Sequence, residues 1–435
     1  MTDNQYRLEL LAPAGDMEKL RTAILYGADA VYFGGQIGSL RAGAGNLSVP
    51  EIREAMDFIH EHGCRGYMTL NIYAHNDDIP VLRDYIGKIK DIPIDAFLVS
   101  DPGVMSLIRE QIPEAEIHLS TQANTTNYLT ALYWAGQGVK RIVAAREMSL
   151  RELTEMREKL PDDIEIESFV HGAMCISYSG RCLLSNFMAG RDANRGACTH
   201  PCRWKYHLVE EQRPGEYYPI EEDDRGSYIM NSRDLCMIDR IPDLARAGVA
   251  SLKIEGRMKS MYYVATVISA YRSAIDKFLA DPEGYEYDPA DFAELCKASH
   301  REFTHGFYYN KPTDRDQNYL TSDYTRDYSF IGLVREHDEK TGLTTVEQRN
   351  KFSIGDTVEI FGPRTPYYEE VIEEMYDEEG QPVTSAPHPQ QILRIRFRRV
   401  PGENFIMRKK KYPVHTRERN VTCLTTVYPY ISILF

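Results

Sequence analysis

Short apolar runs alternate with amphipathic stretches along the first 280 residues of the chain. In the amphipathic stretches the apolar residues recur at helical spacing, which indicates helices with one buried face. Asp16 is placed to cap the first of these helices, and Ser48 with Glu51 forms a capping box at the start of the second. The apolar runs predict eight buried strands, at residues 8–15, 28–35, 66–73, 95–101, 116–122, 140–147, 164–172 and 250–257.

Buried strands that alternate with helices are typical of a parallel sheet covered on both faces. This pattern predicts an α/β fold, a (β/α)8 TIM-like barrel, with an open doubly wound sheet as the alternative. In either architecture the active site is built at the carboxyl ends of the strands. The polar residues predicted at those ends include the candidates for catalysis or ligand binding, which are Arg146, Glu147, His171, Glu255 and Arg257.

The segment after the seventh predicted strand, at about residues 172–249, is much longer than the other connections. A long insertion at this edge of a barrel is typical of a functional loop. It carries a cluster of four cysteines, which are Cys175, Cys182, Cys198 and Cys202. Three interpretations compete: buried apolar side chains, ligands of a structural zinc ion, and ligands of an iron–sulfur cluster. The CxxC knuckle of zinc ribbons is missing, but residue types alone leave zinc and iron–sulfur equally open.

Composition limits the class of protein. Charged residues make up 27% and hydrophobic residues 43% of the 435 residues, and no apolar run is long enough to span a membrane. The amino terminus lacks the basic and apolar regions of a signal peptide, so we expect a cytoplasmic protein with reduced thiols. The net charge of −14 argues against indiscriminate binding to nucleic acid but leaves room for a local basic patch.

The pattern changes near residue 327, which divides the chain into a barrel domain (1–326) and a small C-terminal β-barrel domain (327–435). Short apolar runs broken by Asp, Lys and Gly are typical of strands and turns. In LRIRFRRV the arginines share one face of a predicted strand. The tail residues that are candidates for contact with an RNA backbone are Arg394, Arg396, Arg398, Lys409 and Lys410. Alternatively, the three arginines protect an exposed edge strand from aggregation.

Several long motifs are specific enough to indicate a family. The two that contain the cysteines are ESFVHGAMCISYSGRCLLS at 167–185 and NRGACTHPCRWKY at 194–206. The others are the opening LELLAPAGDMEKLRTAILYGADAVYFG, HLSTQAN at 118–124, SLKIEGRMKS at 251–260 and SHREFTHGFYY at 299–309. Together they resemble the collagenase-like peptidases of family U-32 over about residues 7–310, and the tail resembles the β domain that ends the longer members.

This resemblance implies a function. The longer bacterial members of the family hydroxylate tRNA: they convert the wobble uridine of the anticodon loop into 5-hydroxyuridine, with prephenate as a required small molecule. Relatives modify ribosomal RNA or hydroxylate ubiquinone precursors, and several members carry a [4Fe–4S] cluster. The resemblance therefore favours a cluster held by Cys175, Cys182, Cys198 and Cys202, with Cys236 in reserve for one of the last two. It indicates no particular electron or oxygen donor.

With this function, Arg146, His171 and Arg257 are expected to bind the carboxylates of prephenate, because arginine presents a two-pronged donor to such groups. Glu147 and Glu255 are expected to act as acid–base groups or to orient the arginines. Two other functions stay open. One is a peptidase, although the sequence has neither an HExxH nor a GxSxG motif. The other is a non-catalytic RNA-binding scaffold in which the cluster is structural.

Overall fold

A computed structural model describes residues 6–40, 45–175, 177–178, 182–191, 193, 198–203, 207–208, 218–219, 232–311 and 324–411. Within these ranges the chain forms two units. The first is a closed barrel of parallel strands surrounded by helices, and the second is built on an antiparallel sheet. In the described part of the chain, no helix is long and apolar enough to cross a membrane.

The strands of the first unit are β1 (Glu9–Ala14), β2 (Ala30–Gly34), β3 (Arg65–Leu70), β4 (Ala96–Val99), β5 (Ile117–Leu119), β6 (Arg141–Val143), β7 (Glu165–Ala173), β8 (His207–Leu208), β9 (Tyr218–Pro219), β10 (Asp234–Cys236), β11 (Ser251–Ile254) and β12 (Phe303–Thr304). Strands β1 to β7 pair in parallel in chain order. Strand β11 pairs in parallel with both β1 and β7, which closes a ring of eight strands. The predicted TIM-like barrel is therefore confirmed, and the open sheet is excluded.

The helices are α1 (Met17–Leu25), α2 (Val49–Glu61), α3 (Asp78–Ile89), α4 (Pro102–Gln111), α5 (Tyr128–Gly136), α6 (Leu150–Lys159), α7 (Leu184–Ala189), α8 (Ile241–Arg246), α9 (Met261–Ala280) and α10 (Pro289–Leu295). The predicted caps are present. The side chain of Asp16 accepts a 2.9 Å hydrogen bond from the amide of Lys19. The amide of Ser48 donates a 2.8 Å bond to Glu51, as a capping box requires.

The cysteine-bearing segment lies between β7 and β11, as predicted, and carries α7, β8, β9, β10 and α8. Strand β10 pairs antiparallel with the end of β7, with Cys236 opposite His171, and β12 then pairs with β10. The end of β7 is therefore extended by two further strands beyond the barrel. This extension places the first residues of the segment at the carboxyl end of the barrel.

The second unit contains β13 (Tyr328–Asp338), β14 (Leu343–Gln348), β15 (Phe352–Ser353), β16 (Thr357–Gly362), β17 (Thr365–Val371), β18 (Glu374–Tyr376), β19 (Ser385–Ala386), β20 (Ile392–Arg396) and β21 (Ile406–Lys410). Seven of these strands form an antiparallel sheet in the order β17-β16-β21-β13-β14-β20-β18. In this order β17 and β18 are the outer strands. The small C-terminal β domain is therefore present as an antiparallel sheet.

A buried ion-pair network joins the two units. Arg408 of β21 is fully buried; its Nε donates a 2.7 Å hydrogen bond to Glu359, and its Nη2 donates a 2.8 Å bond to Glu294 of α10. Lys297 also contacts Glu359, at 2.9 Å. On the other side of the interface, the hydroxyl of Tyr26 donates a 2.8 Å bond to the carbonyl of Asn404. These contacts hold the β domain against the outer helices of the barrel.

Candidate functional site

Arg257 lies just after β11 at the carboxyl end of the barrel and is 3% exposed. Its guanidinium donates hydrogen bonds to Ser39 Oγ (2.7 Å), Thr69 Oγ1 (3.3 Å) and Asn46 Oδ1 (2.5 Å). Gly34, at the end of β2, makes room for it, because a Cβ there would lie 2.1 Å from Nη2 of Arg257. Three neutral oxygens and a glycine therefore fix this guanidinium.

Arg146 lies on the opposite flank of β7 and has different partners. Its Nη2 donates a 2.9 Å hydrogen bond to Glu255, and its guanidinium lies 3.8 Å from the centre of the Phe169 ring. Gly172, at φ +109°, lets β7 pass close to Glu255, since a Cβ there would lie 2.7 Å from the Glu255 carbonyl oxygen. The expectation that Glu255 orients Arg146 agrees with this geometry.

The floor of the barrel mouth contains a buried lysine. Lys253 Nζ donates a 2.6 Å hydrogen bond to Glu167 and lies 4.3 Å from the centre of the Tyr32 ring. Burial lowers the pKa of Lys253, and the Glu167 carboxylate opposes that shift. Glu167 also contacts Arg141 at 3.3 Å, and Arg141 pairs with Glu9 at 2.6 Å. Below the mouth, the barrel interior therefore contains a chain of contacting basic and acidic side chains.

The surroundings of His171 do not fit the predicted role of binding carboxylates together with Arg146 and Arg257. The side chain is 2% exposed, and its ring centre lies 5.6 Å from those of Tyr271 and Phe303 and 6.0 Å from that of Tyr263. Burial, and secondarily His300 and Lys259, lowers the pKa of His171 to about 3. A neutral imidazole enclosed by aromatic rings cannot attract a carboxylate by charge. The sequence pattern missed this because the rings come from α9 and β12, far along the chain.

Glu147 is half-buried beside Arg146. Burial raises the pKa of Glu147, and the neighbouring Arg146 opposes the shift. A carboxyl group with a raised pKa can hold a proton closer to neutral pH than an exposed one. An acid–base role for Glu147 stays a prediction.

The cysteines of the insertion are carried by adjoining segments. Cys175 is exposed just after β7, and Cys182, Cys198 and Cys202 are half-buried thiols. The hydroxyl of Ser185, in α7, accepts a 3.0 Å hydrogen bond from the amide of Thr199. This bond fastens the segment that carries Cys182 to the segment that carries Cys198.

The donor set fits soft-metal chemistry, since thiolates are the ligands of both zinc and iron–sulfur centres. Among the residues that the structure describes, no three His, Cys, Asp or Glu side chains are arranged to hold one metal ion. A preformed single-ion site is therefore not part of the described geometry. Of the four thiols, Cys182 and Cys198 lie on segments that the Ser185–Thr199 hydrogen bond ties together.

Burial raises the pKa of two other cysteines. Cys236, the reserve ligand, is 4% exposed, with its Sγ 3.9 Å from the Tyr271 hydroxyl, and burial raises its pKa to about 12. Cys64 is half-buried, and burial raises its pKa to about 11. A metal ion deprotonates a thiol that it binds, so a raised pKa does not exclude ligation, and Cys236 stays the reserve ligand.

The tail arginines alternate with buried side chains, as the pattern predicts. Arg394, Arg396 and Arg398 are exposed, while Ile395 and Phe397 are buried. Strand β20 pairs with β14 on one side and with β18 on the other, so the edge-strand interpretation is wrong. Two of the arginines have acidic neighbours: Arg396 Nε lies 3.1 Å from Glu374, and Arg398 pairs with Glu373.

The two tail lysines lie elsewhere in the sheet. Lys409 and Lys410 are on β21, which is separated from β20 by β13 and β14. Lys409 pairs with Asp356 at 2.5 Å, and Lys410 is exposed. The five candidate residues therefore do not form one continuous basic face. Pairing across the sheet is a long-range property, and no local pattern of residues indicates it.

Comparison with known proteins adds independent evidence. Residues 15–318 match Peptidase family U32, and residues 326–408 match the Peptidase family U32 C-terminal domain. tRNA hydroxylation protein P1 of Bacillus subtilis is 43% identical over 403 residues, which are 93% of this chain and 95% of that protein. tRNA hydroxylation protein P of Escherichia coli is 37% identical over 422 residues, or 88% of this chain and 92% of that protein. A collagenase of Porphyromonas gingivalis is 31% identical over 378 residues, or 84% and 89% of the two chains.

The two matched regions coincide with the two structural units. The first contains the barrel from α1 onward and the cysteine-bearing segment, and the second contains nearly all of the antiparallel sheet. The first match alone covers well over half of the chain. The chain therefore belongs to peptidase family U32.

Proposed function

We propose that this chain is a cytoplasmic tRNA hydroxylase that converts the wobble uridine of the anticodon loop into 5-hydroxyuridine. The observation that carries the proposal is the similarity, across both units, to proteins named for tRNA hydroxylation in B. subtilis and E. coli. The names of these relatives support hydroxylation of RNA in general. The particular base, a [4Fe–4S] cluster and prephenate are additional proposals.

The carboxyl end of the barrel supplies two guanidinium groups for binding a small anion. Arg257 is held by Ser39 and Thr69, and Arg146 is held by Glu255. A guanidinium that is already held in place binds a carboxylate with little further loss of side-chain freedom. We assign the carboxylates of prephenate to these two arginines, and we assign to Glu255 the role of orienting Arg146.

Glu147 and His171 take different roles in this proposal. The raised pKa of Glu147 makes its carboxyl group a candidate to hold or move a proton at the mouth. His171 stays neutral and packs against Tyr263 and Tyr271, so we assign it to supporting the end of β7 that leads to Cys175. A supporting role explains why the imidazole is enclosed by rings.

Cys175, Cys182, Cys198 and Cys202 would hold the [4Fe–4S] cluster. When bound, such a cluster supplies single-electron transfer. The chain contributes the thiolates and, through Ser185, the connection between two of the segments that carry them. A cysteine bound to iron is not available as an acyl nucleophile, which favours hydroxylation over a cysteine-dependent peptidase.

The RNA has to present an unstacked base to the barrel mouth. A base in an anticodon loop is reached at lower cost than a base in a duplex, because fewer stacking and pairing contacts are lost. Exposed tail cations such as Arg394 and Lys410 are candidates for contacts to the phosphates on either side. Arg396 and Arg398 each pair with a glutamate, so they attract a phosphate group less strongly than an unpaired arginine does.

Nucleoside mass spectrometry of tRNA from a strain that lacks this gene tests the proposal. We expect 5-hydroxyuridine to disappear from the wobble position and to return with a plasmid copy of the wild-type gene. A Cys182→Ala copy should fail to restore it, whereas a Cys64→Ala copy should succeed. Unchanged wobble nucleosides in the deletion strain would contradict the proposal.

A peptidase is the second candidate, and the similarity to a protein named collagenase favours it. A peptidase would release peptide fragments from gelatin or collagen and would leave tRNA nucleosides unchanged. A non-catalytic scaffold would bind tRNA but would change neither substrate. Incubating the purified chain with each substrate therefore separates the three functions.

A further inference from the structure

Helix α7 has an inverted distribution of buried and exposed side chains. Its buried residue is Ser185, at 0% exposure, whereas Phe187 is 88% exposed. Leu183, just before the helix, is 67% exposed, and Tyr178 is 47% exposed. A short helix normally buries its apolar side chains and exposes its hydroxyls. The inversion leaves Leu183 and Phe187, which are one helical turn apart, exposed on α7; we call these two residues, together with the exposed Tyr178 that precedes them in the chain, the α7 surface.

The α7 surface is continuous with the candidate cysteine site. Leu183 directly follows Cys182, and the hydroxyl of Ser185 holds Thr199, the residue after Cys198. The same hydrogen bonds that bury Ser185 turn Phe187 outward. The inversion is therefore a consequence of how α7 is attached to the segment that carries the cysteines.

An exposed cation follows this surface in the chain, four residues after Phe187. Arg191 follows the left-handed Gly190 that ends α7 (φ +61°), and it is exposed. No described side chain forms an ion pair with Arg191, whereas Arg396 and Arg398 of the tail have glutamate partners. An arginine without an acidic partner keeps its full attraction for a phosphate group.

We propose that the α7 surface binds unstacked bases of the substrate's single-stranded loop, with Phe187 as the main stacking platform and Arg191 contacting the adjacent phosphate. This inference rests on the proposed function and names the part of the RNA that the insertion recognises. Aromatic rings next to a cationic side chain are the usual surface for single-stranded nucleic acid, because every base has a face that can stack. The insertion then recognises the loop, and the tail contacts the stem.

The experiment compares the binding of two RNAs to the full-length chain. One RNA is an anticodon stem–loop, and the other is a blunt duplex with the same stem sequence. Replacement Phe187→Ala should weaken stem–loop binding by about 5- to 150-fold, the range for one lost base–aromatic stack. Duplex binding should not change. Phe187→Trp should keep the stem–loop affinity, since tryptophan still offers a face for stacking.

Tyr133 provides a matched control. It is an aromatic residue of α5 on the outer wall of the barrel and is 61% exposed. Tyr133→Ala should leave both affinities unchanged.

Equal stem–loop affinity of the wild type and Phe187→Ala, with the same thermal unfolding midpoint, would overturn the inference. So would a dimer in the wild type that Phe187→Ala dissociates without any change in RNA affinity, because the surface would then bind a second copy. Failure of the wild type to bind the stem–loop would count against the proposed function itself.

Discussion

Arg146 and Glu255 form an ion pair of 2.9 Å across the strand that leads into the cysteine-bearing segment. Arg146 follows β6 and Glu255 follows β11, and these two strands flank β7 in the closed barrel. Their side chains are 9% and 17% exposed, so water screens the pair only partly. The pair therefore fixes a guanidinium over Phe169, between the barrel mouth and the cysteines.

Removing this guanidinium should weaken anion binding selectively. Each hydrogen bond from a charged group contributes about 1.5–3 kcal/mol, so Arg146→Ala should weaken prephenate binding by about 10- to 150-fold. Binding of tRNA should change little, because phosphate contacts are assigned elsewhere. Calorimetric titration of each ligand checks this. The control is Arg151→Ala on the exposed face of α6, and equal losses of both ligands would refute separate sites.

Gly34 should be a sensitive position, although no ligand is assigned to it. A Cβ at residue 34 would lie 2.1 Å from Arg257 Nη2 and 2.5 Å from Ser39 Oγ. Gly34→Ala should therefore displace the Arg257 guanidinium and weaken prephenate binding by at least about 10-fold, the loss expected for one charged hydrogen bond. Gly136→Ala is the control, since a Cβ there has nothing within 4 Å. Unchanged affinity in Gly34→Ala would remove Arg257 from the anion site.

The burial of His171 should make stability depend on pH. Its pKa is about 3 in the folded chain, below the ordinary value of 6.5, so the unfolded chain binds more protons between these values. The stabilisation is present above pH 6.5 and is lost as the pH falls toward 3. Lowering the pH from about 7.5 to about 5.5 should remove on the order of 1 kcal/mol through this group.

The variant His171→Phe should lack that part of the pH dependence. Urea unfolding at the two pH values measures it as a difference between variant and wild type. The buried His118 and the half-buried His300 also have lowered pKa values, but both remain in the two proteins, so most of their contribution is removed in the difference. The control His60→Gln changes an exposed histidine that pairs with Asp95. The same pH dependence in His171→Phe and in the wild type would contradict the assignment.

Protein purified without oxygen should contain about four irons per chain, as a [4Fe–4S] cluster held by four thiolates requires. Cys182→Ala should lose the iron, and Cys236→Ala should retain it when Cys198 and Cys202 are both ligands; loss of iron in Cys236→Ala would put Cys236 in the place of one of those two. Iron analysis together with the visible absorption spectrum measures both. One zinc per chain without colour would show that the thiols serve a different metal.

The sequence predicted the barrel because its evidence was local. Apolar runs and the caps at Asp16 and Ser48 depend on neighbouring residues, and the structure reproduces them. The environment of His171 was not predictable in this way, since its aromatic neighbours belong to α9 and β12. The partners of Arg257 are more than 180 residues distant in the chain. The strand-end residues could be identified from the pattern, but their partners required the fold.

The most direct test of the central claim is reconstitution with the purified chain. Anaerobically purified protein, unmodified tRNA and prephenate are incubated with an extract of the deletion strain, which supplies the oxygen and electron donors, and the tRNA is digested to nucleosides for mass spectrometry. The account predicts a wobble uridine heavier by one oxygen atom, formed by the wild type and not by Cys182→Ala. If the nucleosides stay unchanged with an intact cluster present, and the same preparation cleaves gelatin, the chain is a peptidase and the account is wrong.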